Sequence, residues 1–167
     1  MEQDSVYSCG LCAVRERVCA SPQGTGPSFC PTLCGPEGLL QETQAEYQRG
    51  EIREFARQAS IQEAECFAGR GLEPYISRPT KPRVQEVIEF ARRMGYKKLG
   101  VAFCGGLKRE AEILHKLLLS HDFQVVSVIC KAGRTAKESI GIQDHEKIRI
   151  GQFEAMCSPI YQAKLLN

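Results

Sequence analysis

No stretch of this chain reaches the ~18 consecutive apolar residues of a membrane-spanning helix, so a membrane partner is not expected. The start, Met1-Glu2-Gln3-Asp4, is acidic and has no apolar run behind it, so it does not read as a secretory leader. An excess of charge is missing too. The 22 Lys and Arg face 20 Asp and Glu, the net charge is +2, and there is no long basic run. That excludes the usual electrostatic footprint of a nucleic-acid binder. Internal repeats, a GxGxxG turn, a P-loop lysine pattern, a Ser–His–Asp order and a paired-carboxylate motif are also lacking. The remainder is an ordinary globular composition, 43% hydrophobic and 25% charged over 167 residues. It suits a cytoplasmic protein with one modest core.

Cysteine departs from this pattern, with nine in the chain. In the reducing cytoplasm, clustered cysteines serve as metal ligands or redox thiols more often than as structural disulfides. Cys9, Cys12, Cys19, Cys30 and Cys34 share residues 1–36 with Pro22, Gly24, Gly26, Pro27, Pro31, Gly35 and Pro36. Such a segment has almost no apolar periodicity and cannot order itself by burial. Thiolates around a metal are the staple available to it. The CxxC pair Cys9/Cys12 brings two thiolates to one turn. Cys19 and Cys30 would complete a tetrahedron around zinc or, with the pair, ligate the four irons of a cubane cluster, with Cys34 in reserve. Ligand softness suits zinc and iron–sulfur equally. The spacing is not the bacterial ferredoxin run, although Cys30-Pro31 matches the Cys-Pro step of that run. Free thiols in an unstructured tail are the competing explanation.

Residues 37–167 read as an α/β domain with leading helices. Ile52, Phe55, Ala56 and Ala59 recur at helical spacing, with Gly50 separating a shorter helix before them and Gly69 and Gly71 closing the run. Leu72 to Lys81, with Pro74 and Pro79, reads as a loop. Thr80 is the expected N-cap of a helix with Pro82 in its first turn, the stripe Val84, Val87, Ile88 and Ala91, and a stop at Gly95. KLGVAF, from Lys98 to Phe103, is a predicted strand. The turn Cys104-Gly105-Gly106 leads to a helix carrying Leu107, Ala111, Leu114 and Leu118, and then to a second strand, FQVVSVIC, from Phe123 to Cys130. Strand, helix and strand make a Rossmann-like βαβ unit with parallel strands. After a long connection from Lys131 to Gln152, a last helix is expected from Phe153 onward or near Ser158-Pro159. Two strands are a poor sheet by themselves, so an under-covered edge and a homo-oligomer are expected.

Cys104 and Cys130 fall at strand C-termini, the end of an open α/β sheet where ligands bind. Cys157 precedes a predicted helix start. Together they form a candidate second thiol site. A thiol-dependent enzyme, or a protein that handles sulfur or a soft metal there, is the alternative to a metal or iron–sulfur protein with a redox, sensing or structural role. A small-ligand module is a third reading. Packing competes at each position, because buried cysteine is common. Cys66 reads as packed. His115, His121 and His145 read as surface residues, Lys131, Arg134 and Lys137 as a solvated loop, and Gly105-Gly106 as at most a weak phosphate turn.

The stretches RVQEVIEFARRMGYKKLGVAFC, FCGGLKREAEIL, VVSVICKAGRTAKESIGI and FEAMCSPIYQAKLLN, with the N-terminal cysteines, resemble a family of uncharacterised cysteine-rich metal-binding proteins of anaerobic bacteria and archaea. It is catalogued as domain of unknown function 1847. The resemblance runs over nearly the whole chain and is firmest from Arg83 to Asn167. It implies a metal ion or cluster, with Cys9, Cys12, Cys19 and Cys30 matching the family's cysteine pattern, but it brings no known reaction or substrate; a redox partner protein is expected only if the centre carries electrons. Cys34 and Cys66 are not family positions. Family members continue past the position matching Asn167, so the chain is expected to lack their C-terminal part.

Overall fold

The computed structural model describes residues 7–74 and 76–167. The acidic start on which the leader reading rests lies outside them. Packing divides the chain into two compact units, Met1–Arg57 and Gln58–Asn167. This boundary is distinct from the change in composition after residue 36.

In the first unit a one-turn 3-10 helix, Cys9–Leu11, is followed by the short helices α1 (Pro31–Cys34) and α2 (Leu39–Tyr47). α3 (Gly50–Glu65) begins in this unit. Gly50, expected to separate two helices, is the first residue of the second. Among the described residues up to Arg57, only Cys30 is buried. Leu11, Leu33, Leu39, Leu40, Tyr47 and Phe55 are all exposed. A unit like this has no hydrophobic core to oppose chain entropy.

The second unit is built around strand β3 (Lys98–Phe103) and strand β4 (Gln124–Ile129). Before them come a two-residue antiparallel pair, β1 (Phe67–Ala68) with β2 (Arg78–Pro79), and helix α4 (Arg83–Arg93). The pair lies partly in the span read from sequence as a loop; two residues carry no detectable alternation. Thr80 does not cap α4. Its hydroxyl donates to the Cys66 carbonyl at 3.1 Å, and Pro82 occupies the N-cap.

β3 and β4 are parallel and in register from Lys98↔Gln124 to Phe103↔Ile129. They are joined by a 3-10 turn, Gly105–Leu107, and helix α5 (Lys108–Ser120). Residues two apart share a face, so Leu99, Val101 and Phe103 point one way. There Leu99, Val101 and Val125 pack on Ile88 and Ala91 of α4, Leu118 of α5, and Phe123. The opposite face meets helix α6 (Pro159–Leu166). The Gln162 amide donates to the carbonyls of Phe103, at 3.2 Å, and Val128, at 2.8 Å. A Cβ on Gly100 would stand 3.1 Å from the Leu166 side chain, so glycine permits this approach.

The connection from Cys130 to α6 is pinned by polar contacts. Ala136 bridges Ala155. The Lys147 ammonium, almost completely buried, meets Glu138 and Asp144, each at 2.7 Å, and the Gln152 carbonyl at 2.6 Å. Its proton is held more tightly than usual, first by Asp144 and then by Glu138. Asp144 and Glu138 are both held below the usual carboxylate range, first of all by hydrogen bonds from Lys147. No described helix is long and apolar enough to cross a membrane.

Candidate metal centre and thiol rim

The turn Cys9–Leu11 closes through Leu11 N–H to Ser8 O at 2.8 Å and Cys12 N–H to Cys9 O at 3.1 Å. It holds the CxxC pair in one loop. Arg17 and Thr25 pair next, with Val18 N–H to Thr25 O at 2.9 Å and Thr25 N–H to Glu16 O at 3.0 Å. Cys19 sits in the turn between them. Gly24 is required there, because a Cβ would lie 2.3 Å from the Arg17 carbonyl. Cys30 is the N-cap of α1, and Pro31 occupies its first turn, where the missing N–H costs little.

Cys9, Cys12, Cys19 and Cys30 line one cavity of about 100 Å³, together with Arg17, Pro27, Phe29 and Thr32. Cys9 and Cys19 are exposed, Cys12 is half-buried and Cys30 is buried. Cys34 does not line the cavity. Its thiol donates to the Cys30 carbonyl at 3.1 Å. No three His, Cys, Asp or Glu side chains among the described residues form a group able to hold one metal ion. A tetrahedral zinc, at ~2.3 Å from each sulfur, needs its four sulfurs ~3.8 Å apart. The four cysteines therefore surround a space without converging on a point. Four thiolates are also the donor type of a cubane cluster, where each takes a different iron. Arg17 adds a cation beside what would be an anionic thiolate centre. Sequence reasoning missed Arg17, although its place between Cys12 and Cys19 could have marked it.

In the second unit Cys104 is exposed and caps the 3-10 turn after β3. Cys130 is buried just past β4, its N–H donating to the Phe103 carbonyl at 2.8 Å. The backbone N–H of Gly105 donates to the Cys130 sulfur at 3.4 Å. Cys157 is exposed, and its sulfur lies 3.7 Å from that of Cys130. The Ser158 N–H donates to the Cys130 carbonyl at 2.8 Å. The strand-end position thus brings Cys130 and Cys157 together, with the residue after Cys104 touching the same sulfur.

Other polar groups have structural partners. Lys131 donates to the Ala155 carbonyl at 2.5 Å, Arg134 stacks over Phe153 at 5.1 Å, and Lys137 pairs with Glu154 at 2.5 Å. Cys66 is buried at the end of α3, where burial pushes its thiol up; it donates to the Gln62 carbonyl at 3.0 Å. Glu89 binds Lys81 at 2.6 Å and Gln62 at 2.7 Å, and the Lys81 contact above all brings its carboxyl down to about 2. His115 meets the Ser127 hydroxyl at 3.1 Å beside a groove of about 320 Å³ that Phe103 and Lys108 also line. This His–Ser contact was not foreseen, since twelve residues separate the pair and no motif joins them.

No solved structure matches the chain. An uncharacterized protein of Methanocaldococcus jannaschii is 42% identical over 116 residues, covering 70% of this chain and 56% of that protein. The chain thus spans little more than half the length of that curated relative. A family model matches residues 30–167, which takes in Cys30 and the whole thiol rim but begins after Cys9, Cys12 and Cys19. The chain belongs to the family described as Protein of unknown function (DUF1847).

Proposed function

We propose that the N-terminal segment binds an iron–sulfur cubane through Cys9, Cys12, Cys19 and Cys30, and that the protein serves electron transfer or redox sensing. One observation carries this reading. The four cysteines line a single cavity in a unit whose sole buried residue, among those described, is Cys30. Without a core, the free energy of metal binding is what such a segment has available to hold its loops together.

A bound cluster would supply one-electron chemistry at a potential set by charge, hydrogen bonds and exposure. The chain's own residues act on each of these. Arg17 places a positive charge at the cavity wall, which favours the more negative, reduced state. Phe29 and Pro27 give the cavity an apolar stretch of wall. Cys9 and Cys19 are exposed, which leaves the centre close to the surface and open to a redox partner protein. Cys34, bonded to the Cys30 carbonyl, steadies the α1 turn that presents Cys30.

The test is the visible spectrum of the full chain purified without oxygen. Broad visible absorption that dithionite bleaches is the expected result. Replacing Cys12 with serine should remove it, and Cys66→Ser should leave it in place. A colourless protein carrying one zinc per chain would overturn the cluster reading.

A further inference from the structure

We propose that Cys130 and Cys157 form a redox-active dithiol that exchanges with disulfides, independently of any centre in the N-terminal segment. The two sulfurs are 3.7 Å apart, which is van der Waals contact with nothing between them. Closing a disulfide to ~2.05 Å moves them together by less than 2 Å. The hydrogen bond from Ser158 N–H to the Cys130 carbonyl sets the two backbones one bond apart. Hydrogen-bonded neighbouring backbones in a sheet lie ~4.8 Å apart, inside the ~4.4–6.8 Å Cα separation a disulfide tolerates.

The two thiols differ in access, as the halves of an exchanging pair do. Cys157 is exposed, whereas Cys130 is 6% exposed and its sulfur accepts the Gly105 N–H. Cys157 is therefore the attacking sulfur. Its thiolate attacks one sulfur of a disulfide R–S–S–R, forming Cys157–S–S–R and releasing RS⁻. The Cys130 sulfur, after losing its proton to solvent, attacks the Cys157 sulfur and releases the second RS⁻. The protein ends with one Cys130–Cys157 disulfide and the substrate as two thiols, so electrons and atoms balance. The loop between the two cysteines is pinned by Lys147 with Glu138 and Asp144, which keeps Cys157 in reach.

The full chain is equilibrated anaerobically in a buffer of oxidised and reduced glutathione. It is then alkylated under denaturing conditions and mapped by peptide mass. In the wild type a linked Cys130–Cys157 peptide is expected, with little glutathione on Cys157. Cys130→Ser should raise the glutathione adduct at Cys157 at least tenfold, because resolution is blocked. Cys157→Ser, at the exposed position, should leave Cys130 without adduct in the folded protein. A parallel arm offers insulin to the Cys130→Ser protein, and a mixed disulfide there marks protein disulfides as substrates. Wild-type adduct at Cys157 equal to that of Cys130→Ser, with no linked peptide, would overturn the proposal. So would Cys130 and Cys157 that stay fully alkylatable across the titration. Iron and zinc content, measured on the same samples, reports separately on the N-terminal centre.

Discussion

The two units use the same residue type for opposite ends. In the second unit, Ile88, Ala91, Leu118 and Phe123 make a core and the cysteines at the sheet rim are free to be chemical. In the first, Cys30 is the only buried residue among those described, and four cysteines line one cavity. Stability in the second unit comes from removing apolar surface from water; in the first, the proposed function assigns it to ligation. The two units should respond differently to the same insult.

Metal removal should separate them most sharply. Chelation under reducing conditions is expected to abolish amide protection in residues 9–34 while residues 98–129 keep theirs, read by hydrogen exchange. Equal loss in both would break the comparison. The converse is Leu118→Ala. Leu118 is 3% exposed in the core, so truncation should cost the second unit about 2–5 kcal/mol and leave metal content per chain unchanged. Denaturant unfolding with metal analysis checks both halves.

Oxidation of the rim pair should act in the other direction. Joining Cys130 to Cys157, 27 residues apart, should stabilise the second unit by about 3.5 kcal/mol through loop-closure entropy. The midpoint of unfolding should rise on oxidation in the wild type and stay put in Cys157→Ser.

The smallest effect is electrostatic. Glu89, brought from 4.5 to about 2 chiefly by the Lys81 hydrogen bond, stabilises the fold above its unfolded pKa. That contribution fades as pH falls from about 4.5 towards about 2. Lys81, held above its usual 10.5 mainly by Glu89, contributes fully below that value and loses the contribution as pH rises past it. Glu89→Gln should flatten the acid limb of a stability–pH profile. A profile unchanged by Glu89→Gln would show that the pair has no net effect.

How much of this was legible in the sequence follows from the length scale of each signal. KLGVAF reads as a strand because its apolar residues sit between turn formers, and β3 occupies those same residues. The α5 stripe of Ala111, Leu114 and Leu118 was equally plain, and Ala111 and Leu118 are buried. The β1–β2 pair was invisible because two residues cannot show a period. Thr80 reads as a cap in sequence because its actual partner, the Cys66 carbonyl, is 14 residues away. Placing the thiols at the sheet's C-terminal rim needed only strand polarity. Which two would touch depended on the fold of the 131–156 loop, where Lys147 gathers carboxylates from separate turns. The parts of the candidate metal site readable in sequence were its donors. Arg17 at its wall carries no pattern of its own, and its place between Cys12 and Cys19 is the one sequence signal for it.

The measurement that bears most directly on the central claim is the iron, sulfide and zinc content of the full chain purified anaerobically, compared with Cys30→Ser and Cys34→Ser. The account expects about four irons and four sulfides per chain in the wild type, nearly all of them lost in Cys30→Ser and nearly all retained in Cys34→Ser. Protein without iron near stoichiometry, whether it carries one zinc per chain or no metal with residues 9–34 still protected from exchange, would contradict it.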